Sequence, residues 1–116
     1  MNKWILLLVL ILPLQINAQR VAWTGMKTEK LLAISEQGYK GFQYAMTYIL
    51  GVVDGLEGQR VISEKPPCRV GRDQSNQQIA VTVLSKAKEL RKLEEPAGKV
   101  VINAYLTSYC LDSTNE

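Results

Sequence analysis

Apolar side chains recur along this chain at intervals of three and four, the period of a helix with one buried face. The clearest run is Phe42, Ala45, Met46, Ile49, Val52, Val53 and Leu56. It predicts an amphipathic helix, with Asp54 and Glu57 near its end and Gly55 and Gly58 as its stop. Ahead of it, Thr28 to Gln37 reads as a shorter helix, with Thr28 as the N-cap and Leu31, Leu32 and Ser35 on one side. Gly38 and Gly41 then break or bend the chain. Ser75-Asn76-Gln77-Gln78 is a capping box, in which Ser75 caps the Gln78 amide and Gln78 reaches back. It opens a third helix with Ile79, Val83, Ala87 and Leu90 on one face and Lys86, Lys88, Glu89, Arg91 and Lys92 on the others. The alternation of Ile79, Val81 and Val83 also fits a strand, but the capping box and the continuation to Leu93 favour helix. Pro96 ends this helix and suits the first turn of the next. Val100, Val101, Ala104, Tyr105 and Tyr109 form the fourth apolar face, which closes at Cys110. Between the second and third helices, residues 57–74 contain Gly58, Pro66, Pro67 and Gly71 and show no period. A loop of roughly 18 residues is long for a small domain and is usually functional or tied down. Asp112 to Glu116 is a polar tail. The expected fold is all-α, a small bundle of about four helices with one disulfide.

The first residues have a different character. Met1-Asn2-Lys3 carries one charge, Trp4 to Leu14 carries none, and Gln15-Ile16-Asn17-Ala18 follows with a small residue at its end. That is the order of a secretory signal peptide, with cleavage between Ala18 and Gln19. The apolar run is about 11 residues, where a membrane-spanning helix needs roughly 20. The expected organisation is a signal peptide at 1–18 and one helical domain at 19–116. Loss of Lys3 lowers the net charge from +3 to +2. So small an imbalance predicts no nucleic-acid partner and, after cleavage, no membrane partner. An exported chain with two cysteines, Cys68 and Cys110, is expected to join them. The alternatives are two free thiols or a two-cysteine metal site. A bridge closing a loop of about 43 residues stabilises the fold by roughly 4 kcal/mol on the chain-entropy model.

The candidate chemistry is sparse. The chain has no histidine, so neither a Ser-His nor a Cys-His arrangement can form, and zinc loses its usual ligand. No metal or cofactor is expected. Asp54 and Glu57 stand three apart, a spacing common on solvated helix ends. Gly51 and Gly55 lie inside a helix, where their spacing lets a second helix approach closely. Among the basic residues, Arg60, Lys65, Arg69 and Arg72 lie in the loop, interleaved with Glu64 and Asp73. A solvated surface and a protein-binding surface are both consistent with them. Tyr39, Tyr44, Tyr48, Tyr105 and Tyr109 suit either a core or an interface. With catalysis disfavoured, the chain reads as a binding protein rather than an enzyme.

An ordered set of segments carries a more specific resemblance. Tyr48-Ile49-Leu50-Gly51-Val52-Val53-Asp54-Gly55 is followed by Cys68, an amphipathic stretch over 77–93, Pro96, and Val100-Val101 through Ala104-Tyr105-Leu106 to Tyr109-Cys110. In this order they resemble the Tai/Rap family of type VI secretion immunity proteins, over roughly residues 28–111. The resemblance implies a periplasmic protein that binds a peptidoglycan amidase effector, a papain-like enzyme with a Cys-His pair, and occludes its active-site cleft. It also implies a homodimer, a structural role for Tyr48, Gly51 and Asp54, and a Cys68–Cys110 disulfide. Ala45 stands where many relatives carry a cysteine, and Ser35 takes the place of its partner, which leaves one bridge. The effector-binding candidates are Arg60, Glu64, Lys65, Arg69, Arg72 and Asp73, on the loop and its flanks. A small periplasmic acid-stress chaperone with one disulfide is the alternative, and an inhibitor of lysozyme-like enzymes is a third reading.

Overall fold

Why the chain turns where it does is visible at its glycines and at one tripod of backbone bonds. The structure, a computed structural model, describes residues 25–68, 70 and 73–110. The signal peptide with its Ala18–Gln19 cleavage site, together with Arg69, Arg72 and the polar tail, lies outside the described residues. The described chain forms four α-helices: α1 (Thr28–Ser35), α2 (Gly38–Ile62), α3 (Asn76–Leu90) and α4 (Ala97–Tyr105). A five-residue π-helical turn, Leu106–Cys110, continues α4. No strand occurs among the described residues; the all-α fold is as the periodicity predicts, and the Cys68–Cys110 bond is as the two cysteines predict.

Helix α1 is shorter than the pattern suggests, and Thr28 does not cap it. Lys27 is the N-cap. Thr28 is buried, and its hydroxyl donates to the Glu95 carbonyl at 2.9 Å. The free N–H groups at the start of α1 are met by the α3–α4 connection: Thr28 N donates to Glu95 O and Glu29 N to Leu93 O, both at 3.0 Å, and Ala97 N returns to Met26 O at 2.8 Å. A helix start needs partners for its orphan donors, and here they come from another part of the chain. Between α1 and α2, Gly38 adopts φ +73°, a left-handed conformation that glycine takes without penalty. Gly41 does not break the chain. It lies inside α2, buried under the end of α1, where a Cβ would strike the Ile34 carbonyl oxygen and lie 2.9 Å from Gln37 Cβ.

Helix α2 continues through Gly51, Gly55 and Gly58 and stops only at Ile62, which makes it 25 residues long. Each interior glycine lowers helix stability by about 1 kcal/mol relative to alanine. Packing of the opposite side outweighs that cost: Ala45 and Ile49 are buried, while Tyr48, Val52, Val53 and Leu56 pack against the core. The loop therefore begins at Ser63, and residues 57–62 are helical. The capping box forms with both bonds, Gln78 N to Ser75 Oγ at 3.1 Å and Ser75 N to Gln78 Oε1 at 2.7 Å. Pro96 does not end α3. That helix stops at Leu90, where Arg91 turns left-handed at φ 54°, and Pro96 is the N-cap of α4.

Helix α4 packs against each of the other three. Ala97, Val100, Val101, Ala104 and Tyr105 are buried along it, and they meet Leu31 and Leu32 from α1, Ile49 from α2, and Val83, Leu84 and Ala87 from α3. No buried side-chain polar atom lacks a partner among the described residues. Exposed ion pairs such as Lys27–Glu94 and Lys88–Glu36, each at 2.9 Å, lie at the rim and contribute little.

Candidate functional site

The far end of α2 and the segment after it form the most constrained irregular part of the molecule. Its constraints come from α2 itself. Ser63 N donates to Gln59 O, Glu64 N to Val61 O, and Lys65 N to Arg60 O at 2.8 Å. Glu64 takes φ +58° to make this turn. The Arg60 guanidinium donates twice to the Pro66 carbonyl, from Nε at 3.1 Å and Nη2 at 2.8 Å. Arg60 is thus a helical residue that holds the loop rather than a free loop cation. Two residues on, Cys68 is bonded to Cys110 at the end of the π-helical turn.

Glu57 sits at the centre of this arrangement. Its Oε1 accepts the Cys68 backbone N–H at 3.3 Å and the Tyr105 hydroxyl at 3.0 Å. It joins α2, the loop and α4, and is not a solvated helix-end carboxylate. Burial, followed by the Glu57 hydrogen bond and charge, pushes the Tyr105 phenol well above its ordinary value. Tyr109 packs against Tyr105 with ring centroids 5.3 Å apart, and its hydroxyl donates to Gln74 Oε1 at 2.7 Å. Both sides of the loop are therefore fastened to the end of α4.

These anchors leave two apolar side chains at the surface. Val61 is 67 % and Ile62 77 % exposed, at the point where α2 ends. Glu64, Lys65 and Asp73 are also exposed. Of the six charged candidates, the structure thus brings Arg60, Glu64 and Lys65 together at the tip, with Asp73 further along the same loop. The other two, Arg69 and Arg72, are outside the described residues.

The remaining motif residues fall on α2. Tyr48 is half-buried against the core, and a Cβ at Gly98 of α4 would lie 3.5 Å from its hydroxyl. Burial, with the charge of Tyr44 behind it, raises its phenol. Gly51 and Asp54 are exposed and line a shallow groove of about 460 Å³ with Leu50, Val53, Glu57, Asn76 and Ile79. Around Gly51, Gly55 and Gly58 a Cβ would meet nothing within 4 Å, so no helix among the described residues uses the close approach that the glycines permit. Steps of three, four and seven place Tyr44, Gly51, Gly55, Gly58 and Ile62 on one stripe of α2. Tyr44 is 57 % exposed.

Sequence reasoning missed Glu57 as a junction and Val61 and Ile62 as surface residues. Glu57 is 48 positions from Tyr105, and no local pattern links them. Val61 and Ile62 had a signal: they continue the helical chain past Leu56 but fall off its buried stripe.

The arrangement defines a helical scaffold that presents a pinned loop and an open helix face, with no paired nucleophile and base among the described residues. No protein-family model matches this chain, and neither a curated protein nor a solved structure matches it.

Proposed function

We propose that this chain is a periplasmic immunity protein that binds a type VI secretion peptidoglycan amidase and occludes its active-site cleft. The observation that carries the proposal is the exposed Val61–Ile62 tip at the end of α2, beside a segment held by Arg60, Glu57 and the disulfide. A pre-ordered apolar projection enters a cleft without the entropy cost of ordering a loop. The ordered segments from Tyr48 to Cys110 supply the family expectation. Glu64 and Lys65 beside the tip add charge that affects association rate and partner choice. The protein performs no chemistry in this role; it excludes substrate.

The same reading includes a homodimer, and the glycine stripe of α2 is the surface assigned to it. In an antiparallel pairing centred on Gly51, Tyr44 of one copy stands opposite Gly58 of the other, seven residues to either side. A ring over a position without a side chain gives a self-complementary contact of the kind a two-fold interface requires.

The test is inhibition of a purified papain-like peptidoglycan amidase by the wild-type protein and by a Val61→Asp, Ile62→Asp double variant. Both sites are exposed, so far-ultraviolet circular dichroism is expected to be unchanged. Inhibition by wild type and its loss in the variant support the proposal. Full inhibition by the variant removes the tip from the mechanism, and no inhibition of any such amidase by wild type removes the function.

A further inference from the structure

The two cysteines do not stand alone. A carboxylate oxygen of Glu57 and the Sγ atoms of Cys68 and Cys110 all lie within 4.8 Å of one another. Cys68 and Cys110 are 9 % and 5 % exposed, so the three donors converge in a largely enclosed place. From this geometry we propose that the reduced protein holds one zinc ion through Cys68, Cys110 and Glu57, so that metal and disulfide are exchangeable staples for the same junction.

Zinc takes thiolates at about 2.3 Å and carboxylates at about 2.0–2.2 Å in a tetrahedron, which separates neighbouring ligand atoms by roughly 3.5–4 Å. The three donor atoms lie within 4.8 Å of one another, and opening the S–S bond frees the two sulfurs to separate toward that spacing. The carboxylate is already oriented. Glu57 Oε1 accepts from Tyr105 Oη and Cys68 N, which holds the carboxylate in place beside the two sulfurs. Such bonds to a ligating carboxylate are the outer shell that fixes metal ligands elsewhere. With no histidine in the chain, two thiolates dominate the donor set and select a thiophilic divalent ion over magnesium or calcium. Water completes the fourth position. The bound site carries one net negative charge, and Arg60, one turn further along α2 and fixed on Pro66 O, supplies positive charge nearby.

The exchange balances. A dithiol reductant gives two electrons and two protons to the Cys68–Cys110 bond and becomes a disulfide itself, leaving two thiols. Zinc then displaces both thiol protons to solvent and binds two thiolates and the Glu57 carboxylate. A disulfide oxidant reverses the sequence: it takes two electrons from the two thiolates and two protons from solvent to become a dithiol, the Cys68–Cys110 bond re-forms, and the zinc ion leaves to solvent. This inference does not depend on the identity of the protein's partner.

Cobalt(II) is the probe, because thiolate ligation gives it a near-ultraviolet charge-transfer band. The purified protein is reduced with a phosphine under anaerobic conditions and titrated with cobalt(II), then with zinc. The expected result is a band that saturates at one metal per chain, is lost on adding zinc, and is absent from the oxidised protein. Glu57→Gln keeps an acceptor for Tyr105 and Cys68 but is a poor ligand, and is expected to weaken binding roughly tenfold or more. If the reduced chain loses helicity without metal, zinc is expected to restore the far-ultraviolet circular dichroism. Absence of the band, saturation at one metal per two chains, equal affinity in Glu57→Gln, or failure of zinc to restore a lost fold would each overturn the proposal.

Discussion

Replacing Gly51, Gly55 and Gly58 together by alanine is expected to make this protein more stable. The reasoning is local. All three lie inside α2, and a Cβ at each would meet nothing within 4 Å. The change then has no steric penalty, and only the helix preference remains, about 0.8–1.0 kcal/mol per site. The three together should contribute roughly 2–3 kcal/mol if they act independently. For a domain of this size each kcal/mol moves the melting temperature by roughly 4–8 °C. Urea unfolding followed by circular dichroism measures the gain, and an unchanged denaturant slope would show that the folded and unfolded states are otherwise the same. Gly41→Ala is the control of opposite sign. Its Cβ would collide with the Ile34 carbonyl, and such overpacking costs about 1–3 kcal/mol. The measurement belongs at high dilution, because a second copy seated on this stripe would oppose the added methyl groups. A triple variant no more stable than its parent at high dilution would refute the reasoning, since the space beside α2 would then not be open. Loss of self-association with a gain in monomer stability is the expected pair of outcomes if the stripe is the dimer seam.

Other expectations follow from the same contacts. Cys68→Ser with Cys110→Ser removes a bridge between residues 42 apart and should lower stability by about 4 kcal/mol on the chain-entropy model, read as a shift of the denaturation midpoint relative to the oxidised parent. Ile49→Ala, at a side chain with no exposure, should cost about 2–5 kcal/mol by the same assay. The raised Tyr105 phenol sets an alkaline limit. A folded-state value above the unfolded one means the protonated form is favoured in the fold, so its contribution is complete below the ordinary value of 10.0 and is lost as pH rises beyond it. Stability should therefore fall above about pH 10, and Tyr105→Phe should flatten that part of the profile while costing about 1 kcal/mol at neutral pH. An equally steep alkaline loss in Tyr105→Phe would show that another group is responsible.

The buried side of each helix was legible because burial follows the helical period. Val100, Val101, Ala104, Tyr105 and Tyr109 are all buried, as their spacing requires, and the Ser75–Gln78 box forms because its partners are three residues apart. Helix ends were less legible. Gly55 and Gly58 read as a stop by local preference, yet the packed side of α2 carries the helix past them. Arg91 ends α3 in a conformation usually taken by glycine or asparagine, so no residue type announces the turn. The junction at Glu57 was least legible: its partners lie 11 and 48 positions away, and only the fold brings them together. Asp54, one turn earlier and of the same charge, stays exposed. Sequence spacing treats these two carboxylates alike, and the difference arises from which way α2 faces α4.

The two sides of α2 support a single reading when taken together. On one side, Glu57, Arg60 and the disulfide hold the loop through contacts with both α2 and the end of α4. On the other, three glycines weaken the helix without being needed by any neighbour among the described residues. Alanine at those positions would keep the same backbone and the same internal packing, so the fold alone does not account for them. A surface whose shape is set by what approaches it does, because a glycine stripe admits a backbone or an aromatic ring that alanine would hold off. Tyr44 and Ile62 bound that stripe, both largely exposed, and Ile62 also belongs to the pinned tip. The open helix face and the anchored segment after α2 thus meet at one residue. If the chain is the amidase inhibitor and homodimer proposed above, an Ile62→Ala variant should weaken both self-association and inhibition, whereas Tyr44→Ala should weaken self-association alone. Sedimentation equilibrium and an inhibition assay on the same two variants separate these outcomes. Equal loss of inhibition in both would place the amidase on the whole stripe, and the second copy elsewhere.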